Sequence, residues 1–198
     1  MDKKRVMFYD RNYEDYINET KMIRMSYQYE KFEKYLPKNP RILDAGCGSG
    51  RDVIHFQGLG ADIFGIDYSA KIIEFLRGIG MKNVFEVDFF NAPYYNFFDA
   101  IWANDFLPIL YKKEYSLFFD KCYDLLRSKG IVFITQRSND NVYMNGDTEG
   151  LSYFHDMDEI VPYLGKKFDL LVMENFIPQG AALEDNKWFI YIIRKKEA

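Results

Sequence analysis

The chain has 198 residues, of which 48% are hydrophobic, 28% charged and 18% aromatic. This length and balance predict one folded domain with a substantial core and exclude a chain that is disordered throughout. A formal net charge of -4 gives no general positive field for a phosphate backbone, so nucleic acid is not the expected partner.

Cysteine content and the amino terminus indicate a protein of the cytoplasm. The two cysteines, Cys47 and Cys122, are too few for a disulfide scaffold or a structural zinc site, and we predict no metal. The basic amino terminus is not followed by the apolar run of a signal peptide. The longest apolar stretch, residues 188–193, is too short to span a bilayer. We therefore expect a cytoplasmic monomer or homodimer without membrane contact.

The chain begins with a segment of helical character. Residues 12–36 are rich in Glu, Lys, Tyr and Met and lack Gly and Pro, which predicts one or two helices that end before Pro37. We take residues 1–38 as a helical cap and residues 39–198 as the core of a single domain. In the core, short β-type runs alternate with amphipathic stretches, as in a doubly wound parallel α/β sheet.

Seven strands and four further helices are predicted after the cap. The strands are at residues 41–45, 61–66, 83–87, 99–103, 130–136, 168–175 and 188–194. The helices are at residues 51–59, 69–77 with Ser69 as N-cap, 113–127 and 157–164. Residues 88–98 are too irregular for a helix. The connection 176–187 has no helical period, so we predict that the last two strands form an antiparallel pair.

A glycine-rich turn follows the first predicted strand. Gly46, Gly48 and Gly50 stand between this strand and the next helix. Residues without a Cβ suit a sharp turn whose backbone a ligand approaches, and we expect the amide groups at the helix start to face that ligand. The turn alone is a weak signal, because it fits a dinucleotide, a phosphate or a tight turn without a ligand.

Three carboxylates accompany this turn at the ends of three consecutive predicted strands. Asp44 precedes the glycines, where its charge would repel a pyrophosphate and attract an ammonium or a sulfonium, which argues against NAD. Asp67 follows the second strand at the spacing of a ribose-binding acid. Asp88 ends the third strand, where it can accept a hydrogen bond from an amine such as that of adenine. Taken singly, each is better explained as an N-cap or turn residue, but together they favour a ligand site.

These motifs resemble those of the class I S-adenosylmethionine-dependent methyltransferases, in particular the small bacterial members. The matching stretches are residues 43–52, 65–69, 87–89, 98–103 and 125–130. The resemblance implies a Rossmann-like, doubly wound seven-stranded sheet in the order 3214576 with the last strand antiparallel. It also implies S-adenosylmethionine as cofactor and S-adenosylhomocysteine as product.

The resemblance also implies which residues hold the cofactor. In that family the residues that match Asp44 and the turn 46–50 hold the methionine end of the cofactor. The match of Asp67 holds the ribose, and the matches of Asp88 and Phe89 frame the adenine. The full predicted set is Asp44, Gly46, Cys47, Gly48, Gly50, Asp67, Tyr68, Asp88, Phe89 and Asn104. Cys47 is expected to be a small turn residue and not a nucleophile. Residues 104–108 depart from the Asn-Pro-Pro-Tyr pattern, which argues against methylation of amide or base nitrogens.

The acceptor is expected over the carboxyl edge of strands 4 and 5, where ligands of such sheets bind. The catalytic candidates there are Asn104, Arg137 and His155. His155 is a general-base candidate because it lies in a loop, whereas His55 lies inside a helix; a lone histidine is nevertheless more often structural. Arg137 either pairs with an acceptor carboxylate or is solvated. Other residues expected at this edge are Asp105, Phe106, Gln136 and Ser138.

Two loops and the cap are candidates for covering this edge. Loops 139–156 and 176–187 leave from it and are candidate lids, and Tyr9, Tyr13 and Tyr16 of the cap either cover the cofactor or pack helices onto the sheet. The leading hypothesis is methyl transfer to a small-molecule acceptor. Methylation of RNA or protein would need a basic or extended groove. Two other hypotheses are a noncatalytic cofactor-binding module and, as the least favoured, a nicotinamide dehydrogenase.

Overall fold

The structure, a computed structural model, describes residues 3–137, 157–177 and 188–197. Its strands are β1 Arg41–Ala45, β2 Asp62–Asp67, β3 Val84–Glu86, β4 Phe98–Ala103, β5 Leu126–Arg137, β6 Phe168–Phe176 and β7 Trp188–Lys195. They form one sheet in the order β3-β2-β1-β4-β5-β7-β6. Strands β1 to β5 pair in parallel, and β7 is antiparallel to both β5 and β6. The predicted strand order and the antiparallel last pair are confirmed.

The helices lie on both faces of the sheet and in the cap. They are α1 Lys3–Arg11, α2 Tyr13–Thr20, α3 Ser26–Glu33, α4 Arg51–Gly58, α5 Ala70–Gly78, α6 Tyr115–Leu125 and α7 Val161–Leu164. Among the described residues, no helix is both long and apolar enough to cross a membrane. Ser69 caps α5 as predicted, because its hydroxyl accepts a hydrogen bond from the Ile72 amide at 3.2 Å.

The hydrophobic core consists of two clusters, and successive strand residues alternate between them. Ile42, Trp102 and Phe133 belong to the cluster that includes side chains of α3, α4 and α5. Their neighbours Leu43 and Ile101 belong to the other cluster, which includes side chains of α6. Both faces of the parallel strands are therefore buried, which explains their nearly continuous apolar sequences.

The cap contains two helices between residues 12 and 36, as predicted, and a third, α1, before them. Helix α1 was not predicted from the sequence, because it begins with three basic residues at the helix end that disfavours positive charge. Tertiary contacts hold this helix: Asp10 accepts a hydrogen bond from the Ser69 hydroxyl at 2.6 Å, at the start of α5. The last cap helix, α3, ends at Glu33, before Pro37 as predicted.

Two other predicted boundaries were wrong for local reasons. The helix predicted at 113–127 ends at Leu125, and β5 begins at once, four residues before the predicted 130. The Lys195 ammonium of β7 donates to the carbonyls of Tyr123 and Leu126 at 2.6 and 2.7 Å, which satisfies acceptors at this helix end. The helix predicted at 157–164 is only α7, because Pro162 is tolerated only in the first turn of a helix.

Candidate active site

The carboxyl ends of neighbouring parallel strands bring the predicted acids to one edge of the sheet. Asp44 of β1 lies beside Gly65 of β2 and Trp102 of β4 in the strand register. Asp67 ends β2, and Asn104 directly follows β4. The sheet topology therefore brings together the acid of the first strand, the acid of the second and the amide after the fourth.

The glycine turn has the left-handed backbone that its sequence predicts. Gly46, Gly48 and Gly50 have φ of 74°, 48° and 75°, values that glycine adopts without strain. That the amides at the start of α4 face a ligand stays a prediction, whereas the amides within the turn donate inside the protein. The Gly46 and Cys47 amides donate to the Ile66 carbonyl at 2.9 Å, and the Gly50 amide donates to the Cys47 carbonyl at 2.9 Å. The Gly48 amide donates to Asp67 at 3.1 Å, so four amides of the turn already have protein acceptors.

The absence of side chains in the turn also lets other parts of the protein approach it closely. A Cβ on Gly46 would lie 3.0 Å from the Phe106 ring, and a Cβ on Gly48 would lie 2.7 Å from the Tyr16 hydroxyl oxygen. A Cβ on Gly50 would lie 2.7 Å from the terminal methyl of Met81. The sequence pattern assigned the missing Cβ atoms to a sharp turn and to an approaching ligand, whereas the cap and the core also require them.

Asp67 both stabilises the turn and faces the site from β2. It is 8% exposed, and its two oxygens accept hydrogen bonds from the Gly48 and Ser69 amides at 3.1 and 2.9 Å. Burial raises the pKa of this carboxyl to about 6, although the hydrogen bonds from the amides oppose the shift. Asp67 is therefore an acid with a fixed orientation that titrates near neutral pH.

Asp44 is more deeply buried and less well satisfied. It is 2% exposed, and its Oδ2 atom has no hydrogen-bond partner among the described residues. Burial, followed by the negative charge of Asp52, raises its pKa well above the ordinary range of a carboxyl. A buried acceptor without a partner is costly in a folded protein unless a ligand completes it. This atom therefore fits a cationic group or a hydrogen-bond donor brought by a ligand.

A family model described as "Methyltransferase domain" matches residues 43–134, from β1 through most of β5. This match spans 92 of the 198 residues and identifies residues 43–134 as a methyltransferase domain. No curated protein sequence matches it.

Solved structures share the fold of this methyltransferase at low sequence identity. One is a S-adenosylmethionine-dependent methyltransferase from Methanosarcina mazei, with 16% identity, a TM-score of 0.73 and coverage of 86% of this chain and 99% of that chain. Another is the Burkholderia thailandensis 1,6-didemethyltoxoflavin-N1-methyltransferase, with bound 1,6-didemethyltoxoflavin and S-adenosylhomocysteine. It has 18% identity, a TM-score of 0.76 and coverage of 97% and 87%.

A third neighbour comes from a complex. It is a structure of the Haloferax volcanii Trm112 methyltransferase activator with a methyltransferase. The match has 10% identity and a TM-score of 0.74, and it covers 96% of this chain and 98% of that chain. At such identities these neighbours show the fold, and the methyltransferase assignment comes from the family model.

S-adenosylmethionine is the cofactor of this methyltransferase, and the described residues fit it. The cofactor carries a sulfonium and an ammonium, which suit the unsatisfied, buried oxygen of Asp44. Its ribose suits Asp67 at the end of β2. The half-buried Tyr68 lies beside this acid, with its ring edge-on to Tyr9 of α1 at 6.0 Å.

Asp88 and Phe89 take structural positions at the end of β3. The Asp88 carboxylate accepts a hydrogen bond from the Phe90 amide at 3.0 Å and caps the short 3-10 helix Phe89–Asn91. Phe89 is 2% exposed, and its ring packs on those of Phe106 and Phe118 at centroid distances of 5.2 and 5.3 Å. The contact of these two residues with adenine stays a prediction. Because Phe89 is almost fully buried, only a small part of its ring could take part in such a contact.

Cys47 lies beneath the turn. It is 5% exposed, and its Sγ lies 3.1 Å from the position that a Cβ on Gly65 would take. Burial raises the pKa of its thiol well above the ordinary value, so the reactive thiolate is disfavoured. These features suit the small turn residue expected from the sequence.

Asn104 is oriented by a residue that the sequence analysis did not name. The Thr135 hydroxyl of β5, which is fully buried, donates to the Asn104 Oδ1 atom at 2.9 Å and accepts from the Asp105 amide at 2.8 Å. Asp105 has a φ of 54°, a left-handed conformation that is uncommon outside glycine. In the register of β4 against β5, Ala103 lies beside Ile134, which places Thr135 next to Asn104. This contact could be predicted only once the register was known.

The other predicted acceptor residues are only partly described. Arg137 ends β5 and pairs with Trp188 of β7 through the backbone, whereas the position of its side chain lies outside the described residues. His155, Ser138, loop 139–156 and residues 178–187 of the second loop also lie outside them. Gln136 is described: it is buried, and its amide nitrogen donates to the Tyr191 hydroxyl at 2.8 Å.

A buried carboxylate in the first turn of α4, Asp52, joins the cap to the core, and it was given no role from the sequence. Asp52 accepts two hydrogen bonds from Arg51, at 2.7 and 2.9 Å, and one from the Trp102 indole at 2.9 Å. The Tyr29 hydroxyl of α3 also donates to it. An open groove of about 550 Å³ lies nearby between the cap and α4, lined by residues that include Tyr29, Arg51 and His55.

Proposed function

We propose that this methyltransferase transfers a methyl group from S-adenosylmethionine to a small molecule bound over the carboxyl ends of β4 and β5. The observation that carries the proposal is the cap over the cofactor edge. Tyr16 lies against Gly48, and Asp10 binds Ser69 at the start of α5. A covered edge favours a small acceptor, which can be enclosed, and disfavours a polymer, which must lie across an open surface.

The chemistry needs alignment more than a nucleophile from the protein. The cofactor supplies a methyl group on a sulfonium, which an acceptor with a lone pair can displace in line. The protein orients the reactants and excludes water, which together account for most of the rate enhancement in such displacements. In this proposal Asp44 balances positive charge, Asp67 accepts from the ribose hydroxyls, and Asn104, held by Thr135, lies beside the reacting groups.

An acceptor that carries a proton also needs a base. We retain His155 as the candidate for this step and Arg137 as the candidate that pairs with an acceptor carboxylate. Arg137 ends β5 at the carboxyl edge of the sheet, and His155 belongs to the sequence that follows this strand. Replacing His155 by Asn would lower kcat with little change in cofactor affinity if this assignment is right.

The charge of the site supports a small acceptor over RNA. Asp44, Asp67 and Asp105 lie at the cofactor edge, and the chain carries a net charge of -4. A phosphate backbone would need compensating lysines or arginines there. The Burkholderia neighbour, which binds 1,6-didemethyltoxoflavin, is an example of this fold with a small-molecule ligand. The cytoplasmic location, the monomer or homodimer state and the division between cap and core at residue 38 stay predictions from the sequence.

Two measurements test the proposal. Calorimetry with S-adenosylmethionine and with NAD should show binding of the first at micromolar concentrations and none of the second. Incubation of the enzyme with methyl-labelled S-adenosylmethionine and a cell extract, followed by size fractionation, should place the label among small molecules. Label confined to RNA or protein would overturn the choice of acceptor, and binding without any transfer would favour a noncatalytic module.

A further inference from the structure

Tyr16 of α2 reaches over the glycine turn from the cap. Its hydroxyl oxygen lies 2.7 Å, and its Cε1 atom 3.0 Å, from the position that a Cβ on Gly48 would take. The ring of Tyr9 packs edge-on against it at 5.2 Å. The Tyr16 hydroxyl forms no hydrogen bond with the described residues. A polar group of the cap thus ends at the backbone of the turn with its donor still available.

A chain of hydrogen bonds fixes Tyr16 in this position. The Thr20 hydroxyl donates to the Tyr16 carbonyl at 2.7 Å, and Arg51 donates to the Thr20 carbonyl at 3.2 Å. Arg51 begins α4, directly after the glycine turn, and Asp52 holds its guanidinium. The end of α2 is therefore tied to the start of α4, next to the turn that Tyr16 covers. These contacts fix the position of the Tyr16 hydroxyl relative to the glycine turn.

The charges around Tyr16 keep its hydroxyl protonated. Burial raises the pKa of this hydroxyl well above 10, and the neighbouring Tyr9 and the charges of Asp67 and Asp105 raise it further. Tyr16 is therefore a neutral donor among carboxylates. The acids of this pocket complement the positive charges and the ribose of S-adenosylmethionine. The α-carboxylate, which is the one anion of that cofactor, requires a hydrogen-bond donor.

Other donors near the turn are largely engaged. The amides of Gly46, Cys47, Gly48 and Gly50 donate within the protein. The Arg51 guanidinium donates to Asp52 and to Thr20. Because a buried carboxylate needs hydrogen-bond donors to replace water, the hydroxyl of Tyr16 is the side-chain donor best placed to serve it.

We propose that the Tyr16 hydroxyl donates a hydrogen bond to the α-carboxylate of the cofactor, so that the cap recognises the complete amino acid end of S-adenosylmethionine. This inference rests on the cofactor site proposed above. It gives Tyr16 a binding role beyond covering the site, and it predicts a loss of affinity in Tyr16→Phe that depends on whether the ligand has a carboxylate.

Two ligands that differ only in the carboxylate test the inference. S-adenosylhomocysteine carries it, and 5′-deoxy-5′-(3-aminopropylthio)adenosine lacks it but keeps the amine, the thioether, the ribose and the adenine. Calorimetry on the full chain should show that Tyr16→Phe weakens S-adenosylhomocysteine binding about tenfold. Binding of the decarboxylated ligand should change by less than about twofold.

Tyr13→Phe is the matched control. Tyr13 lies on the same helix, and its hydroxyl donates to the adjacent Glu14 at 2.7 Å. This variant should bind both ligands as the wild type does, and thermal melting should show that both variants fold. Equal losses for both ligands in Tyr16→Phe, or no loss for either, would overturn the inference alone. Failure of the wild type to bind S-adenosylhomocysteine would instead overturn the cofactor site and this inference with it.

Discussion

At the scale of single residues, the two acids that end β1 and β2 face the same edge in different states. Asp67 accepts hydrogen bonds from two backbone amides, whereas Oδ2 of Asp44 has no partner among the described residues. Asp67 therefore contributes to the structure of the turn even without a ligand. The proposed binding of a cationic ligand would explain the burial of Asp44.

Replacing Asp44 by Asn should separate binding from stability. The amide is similar in size but cannot balance a cation, so we expect the affinity for S-adenosylmethionine to fall at least about tenfold. The thermal midpoint of the free protein should not fall, because burial already disfavours the charged form of this group. Asp62→Asn, on the exposed beginning of β2, is the control. Wild-type affinity in Asp44→Asn would contradict the assignment.

The pKa of Asp67 predicts a pH dependence with opposite signs for binding and folding. Its folded pKa of about 6 lies above the ordinary 3.8, so its contribution to stability is fully present below pH 3.8 and is lost as pH rises through 6. The ionised form is the better acceptor for ribose hydroxyls, so the affinity for S-adenosylmethionine should rise between about pH 5 and 7. Calorimetry across this range measures the effect, and an unchanged slope in Asp67→Asn would show that another group is responsible.

At the scale of elements, the junction of α6 and β5 depends on a lysine from the last strand. Lys195 is 8% exposed and donates to the carbonyls of Tyr123 and Leu126. Burial lowers the pKa of its ammonium, and the two carbonyls offset part of the desolvation with their hydrogen bonds. A helix end and the beginning of a strand are thus set by a residue that is far away in the sequence.

Lys195→Met should therefore destabilise the fold. Removing the ammonium leaves the buried Leu126 carbonyl and the partly buried Tyr123 carbonyl without this donor, and we expect the free energy of unfolding to fall by about 2 kcal/mol. Urea denaturation of Lys195→Met and Lys196→Met measures it, since Lys196 is more exposed and contacts Asp169 at 3.4 Å. The Lys196 variant should lose less than about 0.5 kcal/mol. Equal effects of the two substitutions would exclude the proposed role of Lys195.

At the scale of the whole molecule, Asp52 connects the cap, the glycine turn and the sheet. Its partners are Tyr29 in α3, Arg51 at the start of α4 and Trp102 in β4. The Tyr29 ring also stacks on His55 at a centroid distance of 3.5 Å. Removing a hydrogen bond to this carboxylate should therefore change the stability of the cap as well as that of the cofactor edge.

Tyr29→Phe should loosen the cap. The variant keeps the ring and removes a hydrogen bond to a buried carboxylate, which we expect to lower the free energy of unfolding by about 2 kcal/mol. Hydrogen exchange should become faster in α2 and α3 than in β1 and β4. Tyr27→Phe is the control, because the Tyr27 hydroxyl bonds Glu174 at an exposed position. Exchange that rises equally in cap and sheet would mean that Asp52 acts on stability alone.

The sequence by itself determined the sheet and the positions of its acids. Alternating elements, the glycine turn and three strand-end acids predicted seven strands and the edge at which Asp44, Asp67 and Asn104 meet, and the family resemblance implied the strand order. The strand positions were predictable because short apolar runs that alternate with amphipathic stretches are a local signal. The bounds of six strands were within one residue, and only β5 began earlier than its apolar run.

Only the tertiary structure decided which groups at that edge remain available. The sequence shows neither that the turn amides already have acceptors, nor that Tyr16 reaches Gly48, nor that Thr135 orients Asn104. These contacts join residues that are distant in the chain and carry no periodic signal. They depend on the register of β4 against β5 and on the docking of the cap, which arise only when the core packs.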